Sequence, residues 1–426
     1  MKTLTKACAL SLAMGVGGMA QAGELPNIES MQGLQFNFAP PGARSMGMGG
    51  AFLGRADDAT AAFANPAGLT NLFTDEISLE IRSLDFDTEY SAGGNYPDID
   101  RQSTSSDTTN MSYLSFVAPG ENWVFAGYLH QYMDFNTAFD TDLIGLGSTF
   151  TFPTSNSIDM DIFSYSAAFA YRVSDRVSLG ANVSFYRYRM SAITNRFGAD
   201  GETPVNNQVQ NGSDNDFGFN IGALFQLTDN LSMGLVYRSS AQFKTNHVNS
   251  VGSADAPGFV FFERDFEFEI PDMYGIGFSW QPTDSLTFNL DVNRVNYSKL
   301  ADPVFWAFSG TPDADRQLSV DKMFIDDVTT VHFGGEYVFN APVAIRAGVW
   351  HDPDHLLTFD NPPELSGDIN RDRHQLANSA FFQGGDDVVH FALGIGIFFS
   401  NFQLDAAADF SDVQNSYSIS GVWRFE

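Results

Sequence analysis

The chain has 426 residues, with 52 acidic against 22 basic side chains and a formal net charge of −30. That balance excludes a nucleic-acid binder, because phosphate contacts need a basic surface. Aromatic residues make up 14%, with 41 Phe, and Gly numbers 38, yet no apolar run reaches the roughly 18 residues of a membrane helix. An exported chain of this composition without helical spans fits a transmembrane β-barrel, whose acidic connections and wet lumen account for the charge.

The first 22 residues, MKTLTKACALSLAMGVGGMAQA, carry Lys2 and Lys6, an apolar run and the small-residue ending Ala20-Gln21-Ala22. This pattern predicts a cleaved signal peptide over residues 1–22 and a mature chain that starts at Gly23. Cys8, the only cysteine, falls inside it, so no disulfide or cysteine metal site is expected.

Residues 23–74 precede the first strand and are predicted to form a plug. Their centre, GMGGAFLGRADDATAAFANPAGLT, has neither a strand nor a helix rhythm. The Ala-rich piece ADDATAAFA predicts a short helix with Asp57 or Asp58 near its start. Gly47, Gly49 and Gly50 permit close packing and unusual backbone angles, while Pro66 fixes the chain. Phe52 stands where a dinucleotide-binding loop needs its third glycine, so that reading fails.

Residues 75–426 alternate apolar and polar side chains, as in Val389, Phe391, Leu393, Ile395, Ile397 and Phe399. The count predicts about fourteen antiparallel strands beginning near residues 76, 110, 122, 157, 175, 214, 230, 265, 284, 326, 341, 386, 401 and 414. Tight turns such as SDR, LTDN and FSN alternate with polar stretches at 91–109, 139–156, 193–213, 247–264, 299–325 and 353–385. Outer-membrane barrels alternate in the same way, with short periplasmic turns and long external loops.

The parity opposite the apolar one faces the lumen and includes Glu80, Arg82, Asn182, Arg238, Asp291, Glu336, Arg346, His390, Asp405, Asp409 and Arg424. The plain expectation is that they hydrate and brace the barrel; Arg238 or Arg346 would also offer a bidentate fork to a substrate carboxylate. In the connections, Leu143, Ile144, Leu146, Phe150 and Phe152 are apolar where a wet loop should be polar, as are Phe305 and Trp306. They predict either a greasy external capture surface or packing on the barrel rim or on another loop. The motif HDPDH at His351 to His355 reads as a polar loop rather than a metal site, and no nucleophile, base and orienting group can be assembled. No enzyme activity, cofactor or metal is expected.

The segment PGARSMGMGGAFLGRADDATAAFANPAGLT, with Asn65, Pro66 and Ala67, resembles the N-terminal signature of the long-chain fatty acid transporter (FadL) family of outer-membrane proteins, which includes aromatic hydrocarbon importers. IPDMYGIGFSWQPTDSLTFNLDVNRVNYS and GDDVVHFALGIGIFFSNFQLDAAADFSD are similar to family segments in matching order. The resemblance implies a monomeric all-β barrel of fourteen strands in the outer membrane of a Gram-negative bacterium, surrounded by lipid and lipopolysaccharide. An N-terminal hatch would fill the lumen, and hydrophobic molecules, foremost long-chain fatty acids, otherwise hydrocarbons, would enter passively and leave sideways beside a kinked strand. A structural barrel without transport is the remaining alternative. The chain departs from an aromatic terminus by ending in Phe425-Glu426.

Overall fold

The computed structural model describes residues 28–34, 36, 40–253, 256–300, 323–340, 342–367 and 369–425. The predicted signal peptide, Phe305 and Trp306 lie outside the described residues. Fourteen strands close into an antiparallel barrel. They are β1 (Glu76–Asn95), β2 (Asp98–Pro119), β3 (Trp123–Thr141), β4 (Thr154–Ser174), β5 (Val177–Phe197) and β6 (Pro204–Thr228). Next come two broken strands, β7 (Leu231–Arg238, then Ala241–Ser253) and β8 (Ala256–Ile270, then Met273–Thr283). The remainder are β9 (Leu286–Val295), β10 (Val328–Val338), β11 (Val343–Asp352), β12 (Val388–Phe398), β13 (Phe402–Phe410) and β14 (Gln414–Arg424). Pairing of β1 with β14, from Glu76↔Arg424 to Phe86↔Gln414, seals the circle. A closed sheet leaves no edge, which is what lets a sheet stand in lipid.

The period-two pattern sorts the faces. Val389, Phe391, Leu393, Ile395 and their counterparts on every strand are exposed outward, while Glu80, Asp291, Arg346, His390 and Asp405 are buried inward. Strands β1, β2, β5 and β6 run further than their apolar alternation predicts. The polar stretches 91–109 and 193–213, expected to be connections, are mostly ladder. There the outward face meets water rather than lipid, so the greasy parity that marks a strand disappears although the backbone pairing continues.

Two interruptions break the wall. Strands β2 and β3 pair only from Tyr113↔His130 to Pro119↔Val124. Beyond that, β2 stays with β1 and β3 with β4, so the wall parts at the outer edge of the apolar band. The parting is spanned by side chains: Asn110 donates to Asp134 at 2.6 Å, and Thr104 to the Ala138 carbonyl at 3.3 Å. Strands β6 and β7 pair in two separate ladders, Asn220↔Arg238 to Thr228↔Leu231 and Asn207↔Ser250 to Asn211↔Asn246.

The N-terminal segment fills the lumen. Its described part starts at the outer rim, where the buried Glu29 accepts bonds of 2.7 to 3.1 Å from Arg196 on β5. It then descends through α1 (Ala43–Met46), α2 (Ala61–Ala64) and a 3-10 turn (Pro66–Asn71) to enter β1. The helix expected over ADDATAAFA is only four residues long. Ala56 takes a positive φ of 39°, Asp58 turns back to accept from the Thr60 N–H and hydroxyl, and Asp57 belongs to an ion network.

One outer element was not visible in the alternation. Within the 353–385 connection, α3 (Ile369–Phe381) sets Leu376, Ala377, Ala380 and Phe381 on one buried stripe. Asp372 accepts from the N–H groups of Ser366 and Gly367 at 2.7 and 2.9 Å, satisfying donors just before the helix.

Candidate functional site

A segment with so little regular structure carries many backbone donors and acceptors without partners of their own, and a buried one left unpaired costs about 1–3 kcal/mol. The lumen-facing side chains supply those partners. Glu80 accepts from the Gly42 N–H at 2.9 Å, and Asp291 from the Phe52 and Leu53 N–H groups at 2.6 and 2.8 Å. Arg82 donates to the Pro40 carbonyl, Asn182 to Ala62, Asn220 to Phe63 and Tyr113 to Ala59, all within 3.0 Å. The residues expected only to hydrate the barrel are thus a receptor for the plug.

Close approach needs bare backbone on the wall as well. Seven of the eight strands from β5 to β12, all but β9, present glycine inward at the level of the plug: Gly180 and Gly222 face Pro66 and Asn65, Gly234 and Gly277 face Leu53, Gly334 and Gly348 face Met48, and Gly394 faces Gly47. An added Cβ at any of them would lie within 3.0 Å of plug atoms. On the plug side, Gly49 and Gly50 adopt φ of 64° and 77°, which other residues rarely tolerate. The sequence carries this girdle as glycine at pore-facing parity on one strand after another. Composition alone does not separate these glycines from the rest.

Asn65, Pro66 and Ala67 sit at the girdle. The Asn65 side chain accepts from the Ala67 N–H at 3.2 Å and donates to the Leu53 carbonyl at 3.0 Å and the Ala223 carbonyl at 3.3 Å. It therefore caps the following 3-10 turn and ties it to both plug and wall, with Pro66 at the position where no N–H is needed. Asn65→Ala is expected to cost about 0.5–2 kcal/mol, the range for a lost cap. It should speed proteolysis within residues 60–72 in detergent; an unchanged cleavage rate would remove the tether.

Charge closes the lower lumen. Arg44 of the plug grips Glu336 of β10 through two bonds of 2.9 and 3.0 Å and Asp57 through two of 2.7 and 3.5 Å, and Arg55 adds a 2.6 Å bond to Asp57. Arg346 on β11 bonds the same Glu336 and Asp405, both at 2.7 Å. Arg346 is fully buried between those two acids and does not line the cavity above. The expectation of a free fork there is corrected: its charge is already matched.

That cavity, of about 130 Å³, lies between the plug and the outer half of the wall. Phe52, Phe63, Tyr132, Tyr297 and Trp350 supply most of its rings, and Arg238 is its cation. Arg238 lies 3.9 Å over the Phe63 ring and donates to the Phe63 carbonyl, while its Nε is unpartnered. Among the described residues no carboxylate pairs with it. A smaller recess of about 50 Å³ opens beside it at the parting of β2 and β3, and Tyr132 and Gln414 belong to both.

The external apolar residues take another arrangement. Ile144 and Leu146 are wholly buried against Phe359, Met323 and the stripe of α3. Phe150 is exposed and edge-on to the half-buried Phe152, and Leu143 is half-buried. The greasy run is mainly a small core under α3 rather than a capture surface, because the helix covers it. Beside it, Arg373 is held below its ordinary value by burial and by the nearby Arg196. Among the described residues no group of three or more His, Cys, Asp or Glu is placed to hold a metal ion.

The model of the outer membrane protein transport protein family (OMPP1/FadL/TodX) matches residues 35–357. No curated protein sequence matches the chain. Among solved structures, a FadL homologue from Pseudomonas aeruginosa is similar at TM-score 0.63 and 15% identity, covering 93% of this chain and 100% of that one. The toluene transporter TodX from P. putida is similar at TM-score 0.61 and 14% identity, covering 92% and 100%. The monoaromatic hydrocarbon channel CymD follows at TM-score 0.57 and 18% identity, covering 92% and 99%.

Proposed function

The chain belongs to the outer membrane protein transport protein family (OMPP1/FadL/TodX), and from that premise we propose that it passively admits small neutral hydrophobic molecules of about one aromatic ring. The family consists of transport channels of the outer membrane rather than enzymes. The observation that carries the narrower reading is the cavity: its volume of about 130 Å³ is close to the roughly 150 Å³ that holds benzene in a protein interior. Its acids, Asp291, Asp352 and Asp409, outnumber Arg238, which favours an uncharged occupant. The descriptions of CymD and TodX as a monoaromatic hydrocarbon channel and a toluene transporter support it by analogy.

In this reading the substrate rests on the plug among Phe52, Phe63 and Trp350. It then moves past Tyr132 and leaves sideways through the parting of β2 and β3, once Asn110 and Asp134 separate. The leader directs export, and the girdle and ion network keep the plug seated, so that water and solutes do not follow.

A second reading is favoured by Arg238, which can receive a fatty acid carboxylate. Uptake of labelled toluene and labelled oleate, in a host without its own transporter of this kind, separates the two. Toluene is expected to enter faster than in the empty host, oleate at the empty-host rate, and Arg238→Met should leave toluene uptake within about twofold. Oleate entry that falls about tenfold or more on Arg238→Met, the worth of a charged hydrogen bond, would give the fatty-acid reading the lead. No entry of either, with assembled barrel in the membrane, overturns both.

A further inference from the structure

We propose that the seam between β6 and β7 is a second lateral passage through the barrel wall, closed by the Asp214 and Asp216 carboxylates and the Tyr186 ring, for neutral molecules of single-ring size. Its use in transport rests on the function proposed above; its existence does not. Between its two ladders, β7 breaks at Ser239 and Ser240, and the adjoining β8 breaks at Pro271 and Asp272. At the lower end of the seam the Ser239 N–H still donates to the Phe219 carbonyl at 2.8 Å. Higher up, backbone carbonyls no longer serve. The Gln242 N–H donates to the Asp216 carboxylate at 2.8 Å and the Lys244 N–H to Asp214 at 3.0 Å.

A ladder hydrogen bond ties two backbones whose neighbours hold them in place, so it cannot open alone. A carboxylate swings aside by rotating its own side chain, a motion of picoseconds to nanoseconds in exposed groups. The amides released meet water, because the seam starts beside the exposed Phe217, the last outward ring of β6 before Asn215 and Ser213. The parting of β2 and β3 is spanned in the same way, by Asn110 and Asp134.

Behind the seam a route leads inward. Gly218 has no side chain, and a Cβ there would lie 2.8 Å from the Tyr186 ring. The Tyr186 ring packs edge-on to Tyr132, with centroids 5.6 Å apart, and Tyr132 lines the main cavity. One flank of this slot is a stack of Tyr188 on Phe243 and Phe268, with centroids 4.9 and 5.3 Å away. Cavity, Tyr132, Tyr186, Gly218 and seam thus form one continuous line with aromatic walls.

The test places a thiol behind the seam, Tyr186→Cys in a Cys8→Ser full-length chain, and follows its labelling by pyrene maleimide dissolved in the surrounding vesicle membrane. Adding Asp214→Ala with Asp216→Ala is expected to speed labelling about tenfold, since two hydrogen bonds that hold the seam are lost. Adding Asp214→Asn with Asp216→Asn keeps an acceptor oxygen at each position and should leave the rate near that of Tyr186→Cys alone. Equal rates in the alanine and asparagine pairs overturn the passage. Toluene uptake by the two pairs, with Tyr186 intact, reads its use: faster entry in the alanine pair supports it, and equal entry overturns a transport role. A chain that carries no toluene at all fails the function proposed above, while the labelling still decides the seam.

Discussion

Glu336→Ala is expected to turn a blocked barrel into a conducting one. The Glu336 carboxylate is shared: it takes two bonds from Arg44 of the plug and one from Arg346 of the wall, and all three side chains are largely or wholly withdrawn from water. Removing one partner of a buried pair typically costs about 3–5 kcal/mol, because the charge left behind has neither water nor a counterion. Here two guanidiniums are left. Arg346 keeps Asp405, but Arg44 keeps only acids of the plug itself, Asp57 and Asp58. The wall therefore loses its ionic hold on α1 while the plug retains its internal one, which favours movement of the plug as a unit. In planar bilayers the wild-type chain should be nearly silent and the alanine variant should show long-lived openings. Glu336→Gln, which keeps the shape but not the charge, should fall between them. Silence in both variants, with unchanged susceptibility of residues 40–72 to protease, would mean that the network does not seat the plug.

The barrel was legible because bilayer and lumen impose opposite demands on alternate residues, and that demand is written residue by residue: Val389 to Phe399 show it without a gap. It stopped being legible where the demand stopped. Above the apolar band β1 and β2 continue as Asp85 to Asn95 and Asp98 to Thr109, whose outward face is polar (Asp85, Asp87 and Glu89 on β1) while Phe86 and Tyr90 pack inward, so only the ladder identifies the extension as strand. Helix α3 escaped for a related reason: its apolar stripe of Leu376, Ala377, Ala380 and Phe381 follows a period of 3.6 inside a stretch judged by its polarity. The plug was legible as a segment that fits no period. Its receptor was not, because Glu80, Asp291 and Glu336 look alike from the sequence whether they face water or a backbone amide. Arg346 shows the limit clearly. Parity placed it in the lumen, but its commitment depends on Glu336 standing on the adjoining β10 and on a reach over the bare backbone of Gly396 on β12 to Asp405 on β13.

The girdle leads to the second large effect, expected from Gly334→Val. A Cβ at Gly334 would lie 2.6 Å from the Met48 carbonyl carbon and 2.8 Å from its Cα, so the obstacle is backbone rather than a side chain that can turn away. Met48 has little room to retreat. Gly49 beside it presses on Gly348 and Val349, and its carbonyl is bonded to His332 Nδ1 at 2.7 Å, a ring in turn stacked on Trp350. Overpacking of this kind costs about 1–3 kcal/mol or more, and a branched side chain stands at the upper end. The adjacent Gly335 provides the control. It points to lipid, where an added Cβ meets nothing closer than 3.2 Å and where valine suits a strand. Gly334→Val should therefore lower the temperature at which the plug becomes protease-sensitive and open the channel in bilayers, whereas Gly335→Val should do neither. Were both variants as tight and as resistant as the wild type, the plug would have to sit against the wall more loosely than these contacts require. The girdle would then be a consequence of barrel assembly rather than the seat of the plug.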